Sequence, residues 1–461
     1  MTAQDLFITP LYLLIFYSIA FVLRPYVTDK NTRPYFIPGL SLKFLGAIAV
    51  GVVYQFYYNG GDTFNYFTNG SRWIWEAFMD NPATGIRLIF IDASRHYPDT
   101  FEYSQHIWYY NDPKSYFIVR MAAVFDIFTF HTYSATALFF AVFGYSGLWK
   151  LYTTFTKLFP AYNKVLAYSI LFVPSVFFWG SGILKDTVSL GALCWCIYCM
   201  VEIFEYRKNI LVNVFLILIF GAMIFIIKKY ILICFFCSAV VYVYSSFISK
   251  IGSQMMKVVL APIVFAVVIG GGYLALDQIS AGDSRYSLNN IAETARVTAY
   301  DIRYGWGARQ GDNSGYTLGE LDGSWQSMVK LMPAAINVSL FRPYLWEVKN
   351  PLMLLSALES LIILLLTLRI VTKLKLLTRL WNDPFLRFCL LFSLTFAFAV
   401  GVSTFNFGSL ARYKIPLLPI YLPMLVVIVS KVKIPGRNRK PANRSFVANA
   451  DSNIHQVSAQ V

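Results

Sequence analysis

Long apolar stretches alternate with short polar connections along most of this chain. A membrane-spanning helix needs about 20 predominantly apolar residues, and the chain has eleven stretches that approach or reach that length. They are residues 7–23, 41–58, 134–152, 164–180, 187–204, 210–226, 230–248, 258–276, 351–370, 388–405 and 415–430. This pattern predicts an all-α polytopic membrane protein with about eleven transmembrane helices.

Two apolar stretches allow a second interpretation. Residues 116–130 have almost the length of a crossing but contain Arg120 and Asp126. A membrane crossing there would place the lysines between residues 150 and 164 on the outer side. We therefore predict that this stretch is an amphipathic helix in the membrane interface. The alternative is a twelfth crossing. The first stretch resembles a signal-peptide core but has neither a basic start nor a small-residue cleavage site, so we predict a retained helix.

Basic residues mark one side of the predicted membrane domain, because 22 of the 39 Lys and Arg residues fall in one set of connections. They are Arg24, Lys30, Arg33, Lys43, Lys150, Lys157, Lys164, Arg207, Lys208, Lys250, Lys257, Arg369, Lys373, Lys375, Arg379, Arg387, Lys431, Lys433, Arg437, Arg439, Lys440 and Arg444. Short loops rich in Lys and Arg stay in the cytoplasm. The N-terminus is therefore predicted outside and the C-terminus inside.

The chain divides into a membrane domain and a polar tail. We predict a transmembrane domain over residues 1–433 and a disordered cytoplasmic tail over 434–461, which is polar and contains Pro. Two outer segments, 59–115 and 277–350, hold 15 of the 24 acidic residues. With the interfacial helix included, the first outer loop extends over 59–133. Polar chemistry is thus concentrated on the side that faces away from the cytoplasm.

Composition excludes several classes of protein. The chain is 57% hydrophobic and 14% charged, with a mean hydropathy of +0.55, whereas soluble domains carry roughly 25% charged residues. The net charge of +15 follows the predicted topology, so nucleic acid is not expected as a partner. The sequence contains no HExxH, GxSxG or Walker pattern, and no predicted cytoplasmic domain is large enough to bind ATP.

Cysteines, histidines and a recurring triplet carry no evident chemistry. All six Cys lie in predicted spans among apolar neighbours, which is typical of helix packing rather than of zinc or redox sites. We interpret His96 and His106 as ordinary loop residues. The triplet Arg-Pro-Tyr occurs at positions 24, 33 and 342, but its irregular spacing does not indicate a repeat.

Five polar groups on the predicted outer face require an explanation. They are residues 60–66, 179–186, 228–230, 341–347 and 405–416. Asp62 is placed to act as a general base or to contact a cation, or to cap a helix. The Lys185-Asp186 pair is costly at bilayer depth unless it is paired or used. Lys228 and Lys229 lie on the predicted outer side, where basic residues are unusual. They indicate binding of a lipid phosphate, or alternatively their side chains extend to lipid headgroups in general.

One acidic group and several cations on one membrane face suit an anionic, lipid-linked substrate. Our catalytic candidates are Asp62 and Asp186. Candidates for binding the donor phosphate are Lys185, Lys228, Lys229, Arg342 and Arg412. Candidates for contact with the acceptor or sugar are Tyr66, Trp346, Glu347 and Tyr413. We expect Asp62, Asp186, Lys229 and Arg412 to share one outer cleft, within about 15 Å of each other.

These motifs, spread over residues 41–430, resemble the GT-C class of integral membrane glycosyltransferases, in particular the protein mannosyltransferase type. The resemblance implies that Asp62 is the catalytic acid of the first loop and that Asp186 is the acidic residue of the second outer loop. It also implies that Lys229 and Arg412 bind the lipid phosphate. The chain departs from the class by an extra N-terminal span, by Thr-Phe-Asn at 63–65 in place of a second carboxylate, and by having no large C-terminal outer domain.

The resemblance implies transfer of a sugar from a polyprenyl-phosphate carrier to a glycan, lipid or protein acceptor outside the cytoplasm, with inversion of the anomeric carbon. The expected location is the bacterial inner membrane. No cofactor is required, and the departures argue against a divalent metal without excluding one. One alternative is a polysaccharide polymerase that uses lipid-pyrophosphate-linked repeats, with Arg285, Arg296, Arg303 and Arg309 near the carrier. The other is a transporter or a scaffold subunit of an envelope complex.

Overall fold

A computed structural model describes residues 2–248, 270, 290–306 and 314–430. Every regular element among these residues is a helix, apart from an isolated antiparallel bridge between Gly315 and Asn406. The predicted all-α class is therefore confirmed. The predicted span 258–276, apart from residue 270, and the predicted tail 434–461 lie outside the described residues.

The helices up to residue 248 include the predicted apolar stretches, together with several short helices between residues 59 and 133. In chain order they are α1 (Ala3–Val27), α2 (Arg33–Phe56), α3 (Asp62–Tyr66), α4 (Arg72–Asp80), α5 (Pro82–Phe90), α6 (Phe101–Ser104), α7 (Pro113–Thr129), α8 (Tyr133–Leu158), α9 (Asn163–Ile170), α10 (Pro174–Trp179), α11 (Lys185–Val201), α12 (Ile210–Ile227) and α13 (Lys229–Ile248). Turns of π-helix follow α3 and α11, over Phe67–Ser71 and Glu202–Tyr206.

The described residues after 290 form a second series of helices. They are α14 (Ile291–Tyr300), α15 (Trp325–Lys330), α16 (Met332–Phe341), α17 (Pro351–Val371), α18 (Leu374–Asn382), α19 (Pro384–Thr404), α20 (Phe407–Tyr413) and α21 (Leu418–Val429). A π-helical turn follows α14, and a 3₁₀ turn covers Leu345–Glu347.

Seven helices in the described part of the chain are long and apolar enough to cross a membrane. They are α1, α2, α11 with its π-helical extension, α12, α13, α17 and α19. Two bent pairs, α7 with α8 at 119° and α20 with α21 at 73°, raise the number to nine if each pair counts as one span. The protein is thus a multi-pass membrane protein, while the predicted number of eleven is not reached in these residues.

Two predicted spans are not continuous helices. The stretch 164–180 is divided into α9 and α10 by a break before Pro174. Proline lacks the amide hydrogen that a helix requires and disfavours helical backbone at the preceding residue, and Val173 is extended. The stretch predicted from residue 415 begins as a turn, so that α21 starts only at Leu418. The single-helix prediction for 164–180 was therefore wrong, and the helix predicted over 415–430 begins later than its apolar stretch.

The centre of the bundle is α11, which packs against α8 and α12. Glycines let the first two of these backbones approach closely, because a Cβ atom on Gly147 would lie 2.1 Å from the carbonyl oxygen of Gly191. Small residues at helix contacts are common inside membranes for this reason. By contrast, α1 and α12 leave most of their apolar surface exposed, as expected for helices that contact lipid.

The stretch 116–130 forms part of α7, and its charged residues both find partners within the protein. Asp126 is buried and accepts hydrogen bonds from Thr136 Oγ1 at 2.6 Å and from His131 Nδ1 at 3.0 Å. Arg120 donates to the carbonyl oxygen of Ile91. The 119° bend into α8 means that α7 does not extend that span as a straight rod.

Lys43 belongs to the set of residues that the sequence predicts in the cytoplasm. In the structure, however, Lys43 does not face lipid headgroups. It is fully buried on α2, where its Nζ donates to the carbonyl oxygens of Val176 at 3.1 Å and Gly180 at 2.6 Å. These carbonyls lie at the C-terminal end of α10, where a positive charge is favourable. Counting Lys43 as a topology signal was therefore wrong, although the other 21 residues of the set still carry the bias.

Candidate functional site

The chain leaves α2 through two glycines and begins α3 at Asp62. Gly60 and Gly61 have φ values of 126° and 124°, a backbone conformation that residues with a side chain rarely adopt. Gly61 is the N-cap of α3 and receives no side-chain cap, while Thr63 hydrogen-bonds the Tyr133 hydroxyl at 2.7 Å. Asp62 therefore begins the helix and does not cap it, and its carboxylate makes other contacts.

Asp62 belongs to a chain of four charged side chains, which we call the ion cluster: Asp62, Arg412, Asp186 and Lys228. Arg412 Nη1 contacts Asp62 Oδ2 at 2.6 Å, and Arg412 Nε donates to Asp186 Oδ2. Lys228 Nζ contacts the other oxygen of Asp186. The cluster therefore joins α3, α11, α20 and the turn between α12 and α13, with two carboxylates balanced by two cations.

Burial distinguishes the members of the ion cluster. The side chain of Asp186 is 0% exposed, and those of Lys228 and Arg412 are 11% and 12% exposed. The Asp62 side chain, in contrast, is 38% exposed. Asp186 also lies in the first turn of α11, where the helix dipole favours a negative charge. The cluster thus has a buried anchor at Asp186 and an accessible carboxylate at Asp62.

Tyrosines surround the ion cluster. Arg412 Nη1 lies 3.3 Å from the Tyr54 hydroxyl, and Lys228 Nζ lies 4.3 Å from the centre of the Tyr413 ring. Tyr66 is buried against Tyr109, with ring centres 5.3 Å apart. Burial, together with the Asp62 charge, raises the pKa of Tyr66 well above its ordinary value. Tyr66 therefore remains a neutral phenol, and its buried ring is not open to a sugar in this structure.

Lys185 forms a second ion pair beside the cluster. Its Nζ lies 3.5 Å from Asp112 Oδ2 and 6.0 Å from the centre of the Tyr66 ring. Partial burial opposes ionisation of Asp112, but the Ser115 hydroxyl and the Lys185 charge outweigh it and hold the pKa of that carboxyl below its usual value. Sequence reasoning did not single out Asp112; its position just before Pro113, at the start of a helix, was the available signal.

The basic turn between α12 and α13 places its two lysines differently. Lys228 contacts Asp186, whereas Lys229 is the first residue of α13 and lies 4.9 Å from the centre of the Phe225 ring. The resemblance to the GT-C class assigns lipid-phosphate binding to Lys229. In the structure, the lysine that joins the ion cluster is its neighbour, Lys228.

Arg342 and Glu347 form a separate pair. Arg342 Nε donates to the two Glu347 oxygens at 3.1 and 3.0 Å, and the guanidinium lies 5.2 Å from the centre of the Phe407 ring. Trp346 is 81% exposed and stacks on Tyr344. No direct contact in the described part of the chain joins Arg342, Trp346 or Glu347 to the ion cluster.

The segment around residues 314–316, which is predicted on the outer side, supports the helix that carries Arg412. The backbone N–H of Tyr316 donates to the Phe405 carbonyl at 3.0 Å, and that of Phe407 donates to the Ser314 carbonyl at 3.0 Å. The Tyr316 hydroxyl also hydrogen-bonds Thr404 Oγ1 at 2.8 Å. These contacts fix the start of α20, and no motif in the sequence identified them.

Other sequence candidates have ordinary contacts. Arg296 pairs with Glu293 and Arg303 donates to the Tyr316 carbonyl, while Arg285 and Arg309 lie outside the described residues. His106 stacks on Trp73. All six cysteines lie in helices as free thiols. Within the described ranges, no three His, Cys, Asp or Glu side chains are close enough to share a metal ion.

Comparisons of this chain with protein-family models, with curated proteins and with solved structures find no match. The functional inference therefore depends on the chemistry of the ion cluster. The cluster combines an accessible carboxylate with a guanidinium and an ammonium group that a buried carboxylate holds in place. Such an arrangement can bind an anionic group and accept a proton beside it.

Proposed function

We propose that this protein is a membrane glycosyltransferase that moves a sugar from a polyprenyl-phosphate carrier to an acceptor at the predicted outer face. The single observation that carries the proposal is the contact of Arg412 with both Asp62 and Asp186. This contact places an accessible carboxylate beside a cation whose other side is held by a buried anchor. Glycosyl transfer from a phosphate carrier needs both a base for the acceptor and a cation for the leaving group.

In this proposal, the donor phosphate takes the place of Asp62 on Arg412. The cluster is already balanced, with two carboxylates and two cations, so an incoming phosphate must compete with one carboxylate. Asp186 is buried with both oxygens engaged, while Asp62 is partly exposed. Exchange at the Asp62 end frees that carboxylate from the guanidinium, and loss of an adjacent positive charge makes a carboxylate more basic.

The transfer step then proceeds as a displacement at the anomeric carbon. The acceptor hydroxyl gives its proton to Asp62 while its oxygen bonds to the sugar. The bond between the anomeric carbon and the phosphate oxygen breaks, and the electron pair leaves with polyprenyl phosphate. Arg412 and Lys228 stabilise the charge that grows on the phosphate, and attack from the opposite face inverts the anomeric carbon.

This division of labour changes the role of Asp186. Its burial and its two cationic partners make it a positioning residue rather than a base, because acceptor hydroxyls have no access to it in this geometry. Lys185, which pairs with Asp112, and Lys229, which follows Lys228 in the chain, are the further cations in this proposal. The proposed chemistry requires no cofactor, because protein cations balance the leaving phosphate.

A reconstituted assay with two donors tests the proposal. Wild-type protein in liposomes is expected to consume a polyprenyl-monophosphate sugar and to release polyprenyl phosphate. Use of only a pyrophosphate-linked repeat would favour the polymerase alternative. Consumption of neither donor with any glycan, lipid or protein acceptor would contradict a transferase and favour a transporter or scaffold.

An Arg412 variant tests the role of the cation. Arg412→Lys keeps the charge but cannot contact both carboxylates as a planar guanidinium does. We expect donor binding to weaken by about 1–3 kcal/mol, the range for hydrogen bonds to charged groups. Arg87→Gln removes an exposed arginine on the predicted outer side and should leave binding unchanged. Wild-type donor affinity in Arg412→Lys would remove Arg412 from the site.

A further inference from the structure

A basic cleft lies at the end of α2 that is opposite to the ion cluster. It has a volume of about 350 Å³, and the residues that line it are Arg24, Pro25, Thr28, Asp29, Lys30, Arg33 and Pro34. Since α2 has 24 residues and a helix rises about 1.5 Å per residue, roughly 36 Å separates its two ends. The cleft is therefore distinct from the proposed transfer site.

Two of the Arg-Pro-Tyr triplets meet at this cleft. The triplet at residue 24 lies in the last turn of α1, and the triplet at residue 33 begins α2. The Arg and Pro residues of both triplets line the cavity. The Arg-Pro-Tyr triplets do not mark a sequence repeat, but two of them line the same cleft from opposite helices.

Three basic residues and one acidic residue line the cleft, so its lining is net positive. Asp29 is the acidic residue in the lining, but its Oδ1 accepts hydrogen bonds from Asn31 N, Thr32 N and Thr32 Oγ1 at 2.8–2.9 Å. Partial burial opposes its ionisation, and these hydrogen bonds outweigh it and lower the pKa of Asp29. Within the described ranges, no ion pair joins Asp29 to Arg24, Lys30 or Arg33.

Arg24 also has an unsatisfied donor. Its Nη2 donates to the Arg33 carbonyl at 3.1 Å, but its Nε is buried and has no hydrogen-bond partner. A buried donor without an acceptor costs about 1–3 kcal/mol, and more when the group is charged. Arg24 lines the cleft, and a shift of its side chain toward the cavity would let an anionic oxygen satisfy this donor.

We infer that this cleft binds a phosphate group through Arg24, Lys30 and Arg33. Guanidinium groups match phosphate oxygens in geometry and charge, and the start of α2 adds the favourable field of a helix N-terminus. The volume lies within the range of small-molecule sites. The ligand is either the headgroup of an anionic lipid, whose chains would lie along the exposed surface of α1, or a soluble phosphate ester.

Native mass spectrometry of the full chain in detergent tests this inference with defined probes. The probes are phosphatidylglycerol, phosphatidylcholine and glycerol 1-phosphate. We expect phosphatidylglycerol to be retained over phosphatidylcholine, and Arg24→Gln and Lys30→Gln each to reduce that retention about fivefold, as for the loss of one basic residue at an anionic surface. Lys208→Gln, an exposed basic residue outside the cleft, is the matched control.

The outcomes distinguish the two sources of phosphate. Retention of phosphatidylglycerol without binding of glycerol 1-phosphate identifies a lipid site, and saturable binding of glycerol 1-phosphate identifies a soluble ligand. Lys30 is exposed, so Lys30→Gln remains informative if Arg24→Gln does not fold. Equal retention of both lipids without binding of glycerol 1-phosphate, or unchanged binding of the probes in both cleft variants, would overturn the inference whether or not the protein transfers sugars.

Discussion

Asp62 and Asp186 contact the same guanidinium but differ in their access to solvent. This difference explains why one suits proton transfer and the other suits positioning. The sequence indicated both residues, because each follows an apolar stretch on the predicted outer side. It could not indicate that Lys228 rather than Lys229 contacts Asp186, because successive residues around a helix start point about 100° apart. Arg412 is 226 positions from Asp186 and 350 positions from Asp62 in the chain. Their pairing therefore requires the assembled bundle.

The first prediction concerns the stability of the two carboxylates. Asp186→Asn should lower the free energy of unfolding by about 3–5 kcal/mol, because it leaves buried Lys228 without its carboxylate partner and Arg412 with Asp62 alone. Asp62→Asn should lower it by about 1 kcal/mol or less, as for exposed ion pairs. Denaturant unfolding in detergent measures both, with the exposed Asp99→Asn as control. Equal losses would contradict the distinction between anchor and base.

The second prediction concerns pH and the Arg342–Glu347 pair. Burial opposes ionisation of Glu347, but hydrogen bonds from Arg342 and from the Tyr344 N–H outweigh it and hold its pKa below the ordinary value. The stability that this pair contributes is therefore present above the unfolded pKa, about 4.3, and is lost as the pH falls through the folded pKa. Wild type should unfold at a higher temperature than Glu347→Gln at pH 7, and the gap should narrow below pH 4. A gap that widens in acid would contradict this account.

Hydropathy located most of the long helices but not their interruptions. The helices α1, α12 and α17 each cover a predicted stretch and extend it by one to four residues at an end, whereas α2 begins eight residues before its predicted stretch and ends two residues short of its end. The break before Pro174 was missed because apolar length alone does not show where backbone hydrogen bonding stops. Burial inside the bundle lets such a break persist at membrane depth. Lys43 was wrongly counted as cytoplasmic for a related reason. A single lysine within an apolar stretch does not indicate that its ammonium group donates to backbone carbonyls of α10.

The third prediction concerns the contact between α8 and α11. Gly147→Ala should destabilise the protein by about 1–3 kcal/mol, the usual cost of overpacking, because the new Cβ would meet the Gly191 backbone at 2.1 Å. Gly221→Ala on α12 is the matched control, since its nearest neighbour would lie at 3.9 Å. Equal thermal stability of the two variants would show that α8 and α11 are not in close contact.

In the described part of the chain, two groups of charged residues lie apart from each other. The first group is the ion cluster, on the predicted outer side. The second group consists of the cleft around Arg24 and the Lys157–Glu202 pair, whose basic residues are predicted on the cytoplasmic side. The sequence predicted this separation from the distribution of Lys and Arg. It could not predict the contacts within either end, which depend on how helices distant in the chain are placed side by side.

The fourth prediction concerns topology. In a Cys-free background, Trp346→Cys should react with an impermeant maleimide in intact cells, and Lys375→Cys should react only after permeabilisation, because both residues are exposed and lie on opposite predicted sides. Labelling of position 375 from outside would reverse the orientation and place the ion cluster in the cytoplasm.

The transfer activity of Asp62→Asn tests the central claim most directly. The amide is nearly isosteric with the carboxylate, so the fold and donor-lipid binding should persist while the base is lost. We predict that turnover in liposomes falls by roughly 10²–10⁴, the contribution of a positioned acid–base group, and that Asp99→Asn keeps wild-type turnover. Full activity of Asp62→Asn with a polyprenyl-phosphate donor would contradict the assignment of Asp62 as the base.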